Sequence, residues 1–250
     1  MESIWKELVI FMVQEKKVLI IIPAYNEAEN IERVIDNLIN NYSQYDYVII
    51  NDGSTDATKR ICNNRHYHVL HLPVNMGIGG AVQTGYRYAW ENGYDMAVQI
   101  DGDGQHDVAS LEGMIGCMEE EKADCVIGSR FVEKEGFQSS GLRRIGIQFL
   151  SILGVILTGV RVRDITSGYR LVNRRFIGIF AQDYPADYPE PEAVVITAVH
   201  GGKIREYPVV MKERENGTSS ITFKRSIYYM VKVTIAMLIR RLSFGVRRQK

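Results

Sequence analysis

The 250-residue sequence contains little cysteine and no excess of charge of either sign. Its three cysteines, Cys62, Cys117 and Cys125, lack the paired spacing of zinc ligands. So small and odd a number argues against a disulfide framework and for a reducing compartment, the cytoplasm. The sequence has 30 basic and 30 acidic residues and a formal net charge of zero. Because nucleic-acid-binding proteins usually carry a basic excess, we expect no nucleic-acid partner.

Long hydrophobic runs are also missing. The most apolar run, 145–160, has 16 uncharged residues, and at about 1.5 Å per residue it is shorter than a hydrocarbon core of roughly 30 Å. Arginines precede and follow it, and 216–250 contains basic but no acidic residues. Basic amphipathic segments of this kind predict contact with a membrane surface. A solvated helix, or a subunit contact in a homo-oligomer, is the alternative.

The two ends of the chain differ in pattern from the part between them. Residues 1–16 mix apolar with acidic side chains and are followed by no cleavage site, which predicts a short amphipathic helix rather than a secretory signal. We therefore expect an N-terminal amphipathic segment at 1–16, one domain at 17–222 and a basic amphipathic tail at 223–250. This arrangement predicts a peripheral protein on the cytoplasmic face of a membrane.

The first half of the chain alternates between strand and helix patterns. Runs such as 18–22 are apolar and β-branched, as in buried strands, and between them apolar residues recur at helical spacing, as in 27–41. This alternation predicts an α/β, Rossmann-like fold with a mostly parallel sheet and helices on both faces. After about residue 130 the pattern weakens. There the predicted features are an apolar helix at 145–160, a proline-rich segment at 184–191, a helix at 193–200 and a strand near 203–210.

Three of the predicted strands end in polar residues. The segments Pro23–Glu27, Asn51–Ser54 and Asp101–His106 follow strands one, two and four. Ligands of open α/β sheets bind beyond the carboxyl ends of the strands, so we expect the three segments to border one site. Each segment taken alone is also explained as a turn or a helix cap.

Asp101 and Asp103 are the residues that most clearly indicate chemistry. Two carboxylates so close after a buried strand are costly unless a cation compensates them. A divalent metal, Mg²⁺ or Mn²⁺, would do so and would bridge a diphosphate, with Gln105 or His106 adding a ligand or supporting one. The glycine-rich segment at 75–81 opens a helix. Its glycines are explained either by a phosphate at the helix N-terminus or by close packing of a neighbouring loop.

These motifs, in this order, resemble family 2 glycosyltransferases of the GT-A fold, and especially the polyprenyl-phosphate (dolichyl-phosphate) sugar synthases. The resemblance spans about residues 17–220. It is carried by Pro23-Ala24-Tyr25-Asn26-Glu27, Asn51-Asp52-Gly53-Ser54, Asn75-Met76-Gly77, Asp101-Gly102-Asp103-Gly104-Gln105-His106, Gly128-Ser129-Arg130, Ser167-Gly168-Tyr169-Arg170, Glu192 and Arg214-Glu215-Asn216-Gly217-Thr218-Ser219. One departure is Asn51, which stands where the family often has aspartate.

The resemblance implies roles for some of the matching residues. Asp101, Asp103 and Gln105 would hold the metal, and Asp101 would also lie near the ribose. The implied substrate-binding residues are Pro23, Tyr25, Glu27, Asp52, Gly77, Asp101, Arg130, Arg214 and Ser219. The first three would line a nucleoside pocket, with Asp52 accepting from the base. The two arginines would face anionic groups, for which guanidinium is a good bidentate partner. A surface ion pair is the alternative for each arginine.

The predicted reaction is inverting transfer from a UDP- or GDP-sugar by a single displacement. The acceptor is a lipid phosphate such as polyprenyl phosphate, or a lipid-linked or cell-surface glycan. A hydroxyl acceptor needs a carboxylate base, whereas a phosphate is already anionic. Glu192 is the favoured base, with Glu190 and Asp164 as alternatives. The competing hypotheses are an Asp-x-Asp phosphatase, disfavoured because that pair normally follows the first strand, and an inactive nucleotide-binding scaffold at the membrane.

Overall fold

A computed structural model gives the fold and describes residues 16–133, 141–211 and 223–247. Its strands are β1 (Val18–Ala24), β2 (Asp46–Asn51), β3 (Val69–His71), β4 (Met96–Gln99), β5 (Cys125–Ser129), β6 (Arg170–Asn173) and β7 (Ile204–Pro208). They form a seven-stranded sheet in the order β3-β2-β1-β4-β6-β5-β7. Neighbours are parallel except around β6, which runs antiparallel to β4 and β5. The predicted mostly parallel sheet is confirmed.

Helices cover both faces of this sheet, which was also predicted. They are α1 (Ile31–Asn41), α2 (Thr58–Asn64), α3 (Gly77–Glu91), α4 (Ser110–Glu120), α5 (Gly141–Thr158), α6 (Arg174–Gln182), α7 (Pro189–Val199) and α8 (Phe223–Arg247). The seven residues of β1 are all buried, and alternate ones belong to different cores. Ile21 packs in the core that includes Tyr86 of α3, and Ile20 in the core that includes Ile35 of α1. Each such aliphatic side chain contributes roughly 1.5–3 kcal/mol of burial free energy.

The region from 165 to 192 differs most from the sequence expectation. Neither β6 nor α6 was predicted, because a four-residue strand that runs directly into a helix shows almost no periodicity. Asn173 marks the junction, where its side chain accepts a hydrogen bond from the Phe176 amide (3.1 Å). The helix predicted at 193–200 begins earlier, at Pro189. Proline is favoured in a first helical turn, where its missing N–H costs nothing.

Helix α1 also begins later than predicted, at Ile31 rather than at residue 27. Residues Glu27–Asn30 form a turn in which the Glu27 carbonyl accepts from the amides of Asn30 (3.0 Å) and Ile31 (2.9 Å). The turn keeps Glu27 outside the helix, at the end of β1 where the predicted site lies.

Helix α8 shares the core of the rest of the chain. Its Val233 and Met237 are buried together with side chains of β1 and α7. On α5, a Cβ added at Gly146 would lie 3.1 Å from the sulfur of Met230 on α8. The segment expected as a tail from residue 223 therefore packs against α5 and α7 as far as it is described. No helix within the described ranges is long and apolar enough to cross a membrane.

Candidate active site

The crevice predicted at the carboxyl edge of the sheet lies between β1 and β4. β1 pairs with β2 on one side and with β4 on the other, so the strand order reverses at this point. Such a reversal opens a crevice in which ligands of α/β proteins bind. A Cβ added at Gly102 would lie 3.2 Å from the Pro23 carbonyl oxygen and 3.6 Å from the Glu27 Cγ. The end of β4 is therefore in contact with the end of β1, as expected.

Side-chain hydrogen bonds join the turns after β1 and β2. Asn26 has a left-handed backbone (φ 57°), and its side-chain oxygen accepts from the amide of Thr55 (2.9 Å). In return, the amide of Asn26 donates to the Ser54 hydroxyl (3.0 Å). Of the residues predicted to line a nucleoside pocket, Pro23 is buried, Glu27 is half-buried, and the Tyr25 side chain is exposed at the rim.

Asp52 is buried where β2 ends, and it holds the glycine-rich segment in place. Its Oδ1 accepts a hydrogen bond from the amide of Met76 (2.7 Å). Gly53 has φ 66°, and a Cβ there would lie 2.8 Å from the Asn75 nitrogen. Asn51, which departs from the family pattern, bonds through its Nδ2 to Nδ1 of His71 (2.9 Å). The second strand end thus consists of groups that fix the turn and set the position of Asp52.

Close packing accounts for the glycines at the start of α3. The amide of Gly79 donates to the Ala186 carbonyl (3.1 Å), and a Cβ at Gly79 would lie 1.9 Å from the Pro185 carbonyl oxygen. Gly77, expected to bind substrate, is also near this loop, 3.8 Å from the Ala186 oxygen to an added Cβ. Of the two explanations given for this segment, the structure favours packing of a neighbouring loop.

Asp101 is held at the mouth of the crevice by Gln99 and His106. Its Oδ1 accepts from Gln99 Nε2 (3.2 Å), and its amide donates to Nδ1 of His106 (3.0 Å). That bond makes Nδ1 an acceptor and leaves the ring proton on Nε2, which lies 3.8 Å from Asp101 Oδ2. The His106 ring stacks on Tyr169, with centroids 5.0 Å apart. The Asp101 side chain remains 38% exposed, so its carboxylate is open to a ligand.

Asp103 lies deeper, with 4% of its surface exposed. Its Oδ1 accepts from the amide of Gln105 (3.0 Å), and its carbonyl accepts from Arg33 Nη2 (3.4 Å). No cluster of three or more histidine, cysteine, aspartate or glutamate residues is arranged to bind a metal in the described part of the chain. Two carboxylates fit Mg²⁺ or Mn²⁺ nevertheless, because Mg²⁺ is commonly bound by one or two carboxylates together with substrate phosphates and water.

Glu190 approaches this site from the opposite wall. It lies in the first turn of α7, where burial raises its pKa and the cation of Arg170 opposes that rise, while the negative charge of Asp101 adds to it. The Arg170 guanidinium is itself buried and donates to the carbonyls of Ser167 (2.8 Å) and Ile165 (2.8 Å). Glu190 is therefore a carboxylate whose charge is coupled electrostatically to the Asp-Gly-Asp loop.

Glu192, the favoured base in the sequence interpretation, has different surroundings. It lies two residues after Glu190 on a helix, so the two side chains leave the axis on nearly opposite sides. Its Oε2 lies 3.5 Å from Arg240 Nε, and with Asp183 and His200 it lines a cavity of about 400 Å³ between α7 and α8. Burial raises the pKa of Glu192, and Arg240 opposes the rise. Of the two glutamates, Glu190 interacts electrostatically with Asp101, whereas Glu192 interacts with Arg240, Asp183 and Asp187.

Asp164 and Arg130 form a buried ion pair with each other. Arg130 donates from Nε to Asp164 Oδ2 (2.7 Å) and from Nη2 to Oδ1 (2.7 Å). The side chains are 8% and 0% exposed. Since Asp164 is fully buried and both its oxygens are engaged, it does not fit the role of a base. The structure shows an ion pair for Arg130, but a buried one rather than the surface pair given as the alternative. The other two predicted substrate-binding residues, Arg214 and Ser219, lie outside the described residues.

The sequence interpretation assigned no role to several residues of this site. Gln99 and Arg170 are buried polar side chains in strands, and Gly168 leaves room for Asp101, since a Cβ there would lie 3.5 Å from its Oδ1. The sequence did contain features that could have pointed to these residues. Gln99 is a polar residue in an otherwise apolar strand, and Gly168 and Arg170 lie in one of the motifs that carry the resemblance. Their function depends on which strands are neighbours, which the motifs do not state.

An α/β crevice with paired aspartates after β4 defines the class of protein as a GT-A-type glycosyltransferase. Residues 19–178 match the family model described as "Glycosyl transferase family 2", and the chain belongs to that family.

Relatives and solved structures agree with this assignment. Undecaprenyl-phosphate mannosyltransferase from Micrococcus luteus is 32% identical, over 82% of this chain and 88% of that protein. UDP-N-acetylglucosamine–dolichyl-phosphate N-acetylglucosaminyltransferase from Methanococcus voltae is 31% identical, over 78% and 85%. The fold is similar to glucosyl-3-phosphoglycerate synthase from Mycobacterium tuberculosis, crystallised with Mn²⁺, UDP-glucose and phosphoglyceric acid (TM-score 0.70, 19% identity, 91% of this chain and 80% of that one).

Proposed function

We propose that this glycosyltransferase moves a sugar from a nucleoside diphosphate sugar to a polyprenyl phosphate at a membrane surface. The observation that carries the proposal is the meeting of three strand ends, with Tyr25, Asp52 and the pair Asp101 and Asp103 on one crevice. Both relatives named above act, by their names, on an undecaprenyl or dolichyl phosphate. They differ in sugar, so the proposal names the acceptor class and leaves the sugar open.

The strand ends suit the donor. Tyr25 offers an exposed ring at the rim, and Asp52 offers a fixed carboxylate within the nucleoside side of the crevice. Asp101 and Asp103, with Gln105, would hold Mg²⁺ or Mn²⁺. A divalent ion bound there supplies positive charge to the departing nucleoside diphosphate. Support for this assignment comes from the fold's similarity to a synthase crystallised with Mn²⁺ and UDP-glucose.

A phosphate acceptor suits the opposite wall. A phosphate monoester is already anionic near neutral pH (second pKa about 6), so it needs to be positioned for attack rather than deprotonated. In a single displacement it attacks the anomeric carbon, the bond to the diphosphate breaks, and the configuration inverts. We assign Glu190 to shaping and orienting this wall, since its charge is coupled to Asp101 and to the buried cation of Arg170.

Helices α5 and α8 suit a membrane surface. Their exposed large apolar side chains, called here the apolar face, are Ile145, Phe149, Ile152, Val155 and Ile156 on α5 and Tyr228, Val231, Ile235, Leu238, Ile239 and Leu242 on α8. Neither helix contains an acidic residue, and exposed arginines (Arg144, Arg161, Arg163 and Arg241) lie in or next to them. An apolar surface on two helices that lack acidic residues, with exposed arginines beside it, favours an anionic bilayer. This gives a peripheral protein, on the cytoplasmic face in this proposal.

The proposed activity is tested by sugar transfer from UDP- and GDP-sugars to a polyprenyl phosphate, with Mg²⁺ or Mn²⁺ and with chelator. We expect a lipid-linked product that depends on the metal, and a loss on the order of 100-fold in Asp103→Asn. Asp95→Asn is the matched control. Asp95 accepts from the amide of Lys17 (2.9 Å) at the opposite end of β4, and this variant should keep its activity. Nucleotide binding without transfer to any acceptor would instead favour the inactive scaffold.

A further inference from the structure

The segment between α6 and α7, residues 183–188, lies between the active site and helix α8. On one side the Ala186 carbonyl accepts from the amide of Gly79 (3.1 Å), at the start of α3. At its C-terminal end the segment runs into Pro189 and Glu190, the first turn of α7. Any shift of this segment therefore moves both the glycine-rich wall and the carboxylate that is coupled to Asp101.

Helix α8 binds this segment at both of its ends. Arg240 Nη1 donates to both oxygens of Asp183 (2.7 and 2.8 Å). Lys232 Nζ donates to Asp187 Oδ2 (2.6 Å), two helical turns earlier on α8. Because the contacts are about eight residues apart on one rigid helix, they fix the direction of the segment as well as its distance from α8.

The backbone at the end of this segment adopts a conformation that is unfavourable without outside contacts. Tyr188 has φ 48° and ψ 58°, a left-handed backbone that a residue with a bulky side chain adopts at a cost of order 1 kcal/mol. Its ring is held edge-to-face against Tyr229 of α8, with centroids 4.7 Å apart. Contacts from α8 therefore help to offset the strain just before α7 and so to orient the turn that carries Glu190.

The other side of α8 belongs to the apolar face. That face is one surface only while α8 is packed on α5, where Arg241 Nε donates to the Leu157 carbonyl (2.8 Å). A bilayer therefore binds the packed arrangement more strongly than one in which α8 has moved away. This difference in affinity is what a ligand needs in order to shift a conformational equilibrium.

From these contacts we infer that α8 is a positioning element that couples bilayer contact to the active site. An anionic membrane holds α8 on α5, and Arg240 and Lys232 then hold residues 183–190 in the catalytic arrangement. The lipid surface thus raises turnover in addition to presenting a lipid acceptor. This inference rests on the proposed function. Arg240 is a positioning residue here, because it acts through Asp183 and not on substrate.

The test separates turnover from acceptor delivery. Full-length protein transfers sugar to a short, water-soluble prenyl phosphate, with and without phosphatidylcholine–phosphatidylglycerol vesicles that contain no polyprenyl phosphate. We expect the vesicles to raise kcat about 5-fold or more, in the range of ordinary allosteric coupling, with little change in the KM of the donor. Hydrogen exchange of the amides in 183–192 should slow when vesicles are added.

Three variants test the coupling contacts. In Arg240→Gln and in Asp183→Asn the vesicle stimulation and the added protection of 183–192 should be lost. The second of these keeps every cation of α8, so it separates the contact from membrane charge. Arg161→Gln is the matched control, since it removes the same charge next to the apolar face and leaves the bonds to Asp183 and Leu157 intact; it should keep the stimulation. Circular dichroism melting checks that all three variants fold.

The outcomes separate the inference from the function on which it rests. If the wild type binds vesicles and transfers sugar equally well with and without them, or if Arg240→Gln and Arg161→Gln respond alike, the coupling is wrong and the proposed transferase stands. If vesicles protect 183–192 but no sugar is transferred under any condition, the coupling stands and the proposed function is wrong.

Discussion

The two walls of the crevice are held together in different ways. On the strand-end wall, short polar side chains bond to main-chain groups of the same turn, as Asp103 does to the Gln105 amide (3.0 Å), or of the turn after the next strand, as Asn26 does to the Thr55 amide (2.9 Å). The helix wall, made of 160–192 and α8, is held by ion pairs between distant residues, Arg130 with Asp164 and Arg240 with Asp183. Local motifs can specify the first wall. The second depends on how the whole chain packs.

The largest effect should come from breaking the helix wall at its buried ion pair. Asp164→Asn leaves the Arg130 guanidinium buried without its carboxylate, which should lower the free energy of unfolding by roughly 3–5 kcal/mol. Asp187→Asn breaks an exposed pair with Lys232, and an exposed pair contributes only about 0.2–1 kcal/mol. Urea denaturation of both variants measures the difference. Equal losses would mean that burial does not distinguish the two pairs.

The junction of the two walls is tested at Gly79. In Gly79→Ala the new methyl group would meet the Pro185 carbonyl, 1.9 Å away before any shift. The loop must move, at a cost of roughly 1–3 kcal/mol, and transfer activity should fall with it. Gly116→Ala is the control, because that position in α4 has no atom within 4 Å of an added Cβ, and alanine should add up to about 1 kcal/mol there. Thermal melting and the transfer assay are applied to both variants. If Gly79→Ala changes neither the melting temperature nor the activity, the close packing of the loop on α3 is not needed for either.

A smaller effect is expected within the strand-end wall. His106→Phe keeps the stack on Tyr169 but removes the acceptor of the Asp101 amide. The carboxylate should lose its fixed position, and metal-dependent transfer should fall about 10-fold, the lower end of the range for residues that support metal ligands. Titration with Mn²⁺ and donor shows whether the loss is recovered at high metal concentration. Unchanged metal dependence would show that Asp101 does not need this support.

An effect no larger than this one distinguishes the two glutamates of α7. With a phosphate acceptor, Glu190→Gln should lower kcat/KM about 10-fold, whereas loss of a true general base would cost about 100-fold or more. Glu192→Gln should stay near wild type in activity, since it faces α8. A loss confined to Glu192→Gln would restore the sequence interpretation.

The variant Glu190→Gln also tests how the stability of the protein depends on pH. Burial raises the pKa of Glu190 above its ordinary value of 4.5 in the folded protein. The folded state therefore holds this proton at pH values where the unfolded chain has lost it, and the contribution of Glu190 to stability is lost as the pH rises through the folded pKa. Glu190→Gln should thus be at least as stable as wild type at pH 8. That relative advantage should shrink as the pH falls towards 4.5, which urea denaturation across the pH range can show.

The sheet and the strand-end wall were predictable because their signals are local. Apolar β-branched runs alternating with helical patterns indicated the parallel sheet, and the segments after β1, β2 and β4 had to meet once the strands were parallel. The strand β6 was not predictable, because four residues that run antiparallel between β4 and β5 carry no periodic signal.

The sequence by itself determined that Asp52, Asp101 and Asp103 lie on one edge of an α/β sheet, since a residue at the carboxyl end of a parallel strand has only one edge to occupy. Only the tertiary structure decided that Asp164 pairs with Arg130, and that the charge of Glu190 rather than that of Glu192 interacts with Asp101. Both interactions depend on where a helix begins and on what packs beside it. Burial and charge pairing between distant residues leave no pattern in the neighbouring sequence, so the sequence alone does not predict them.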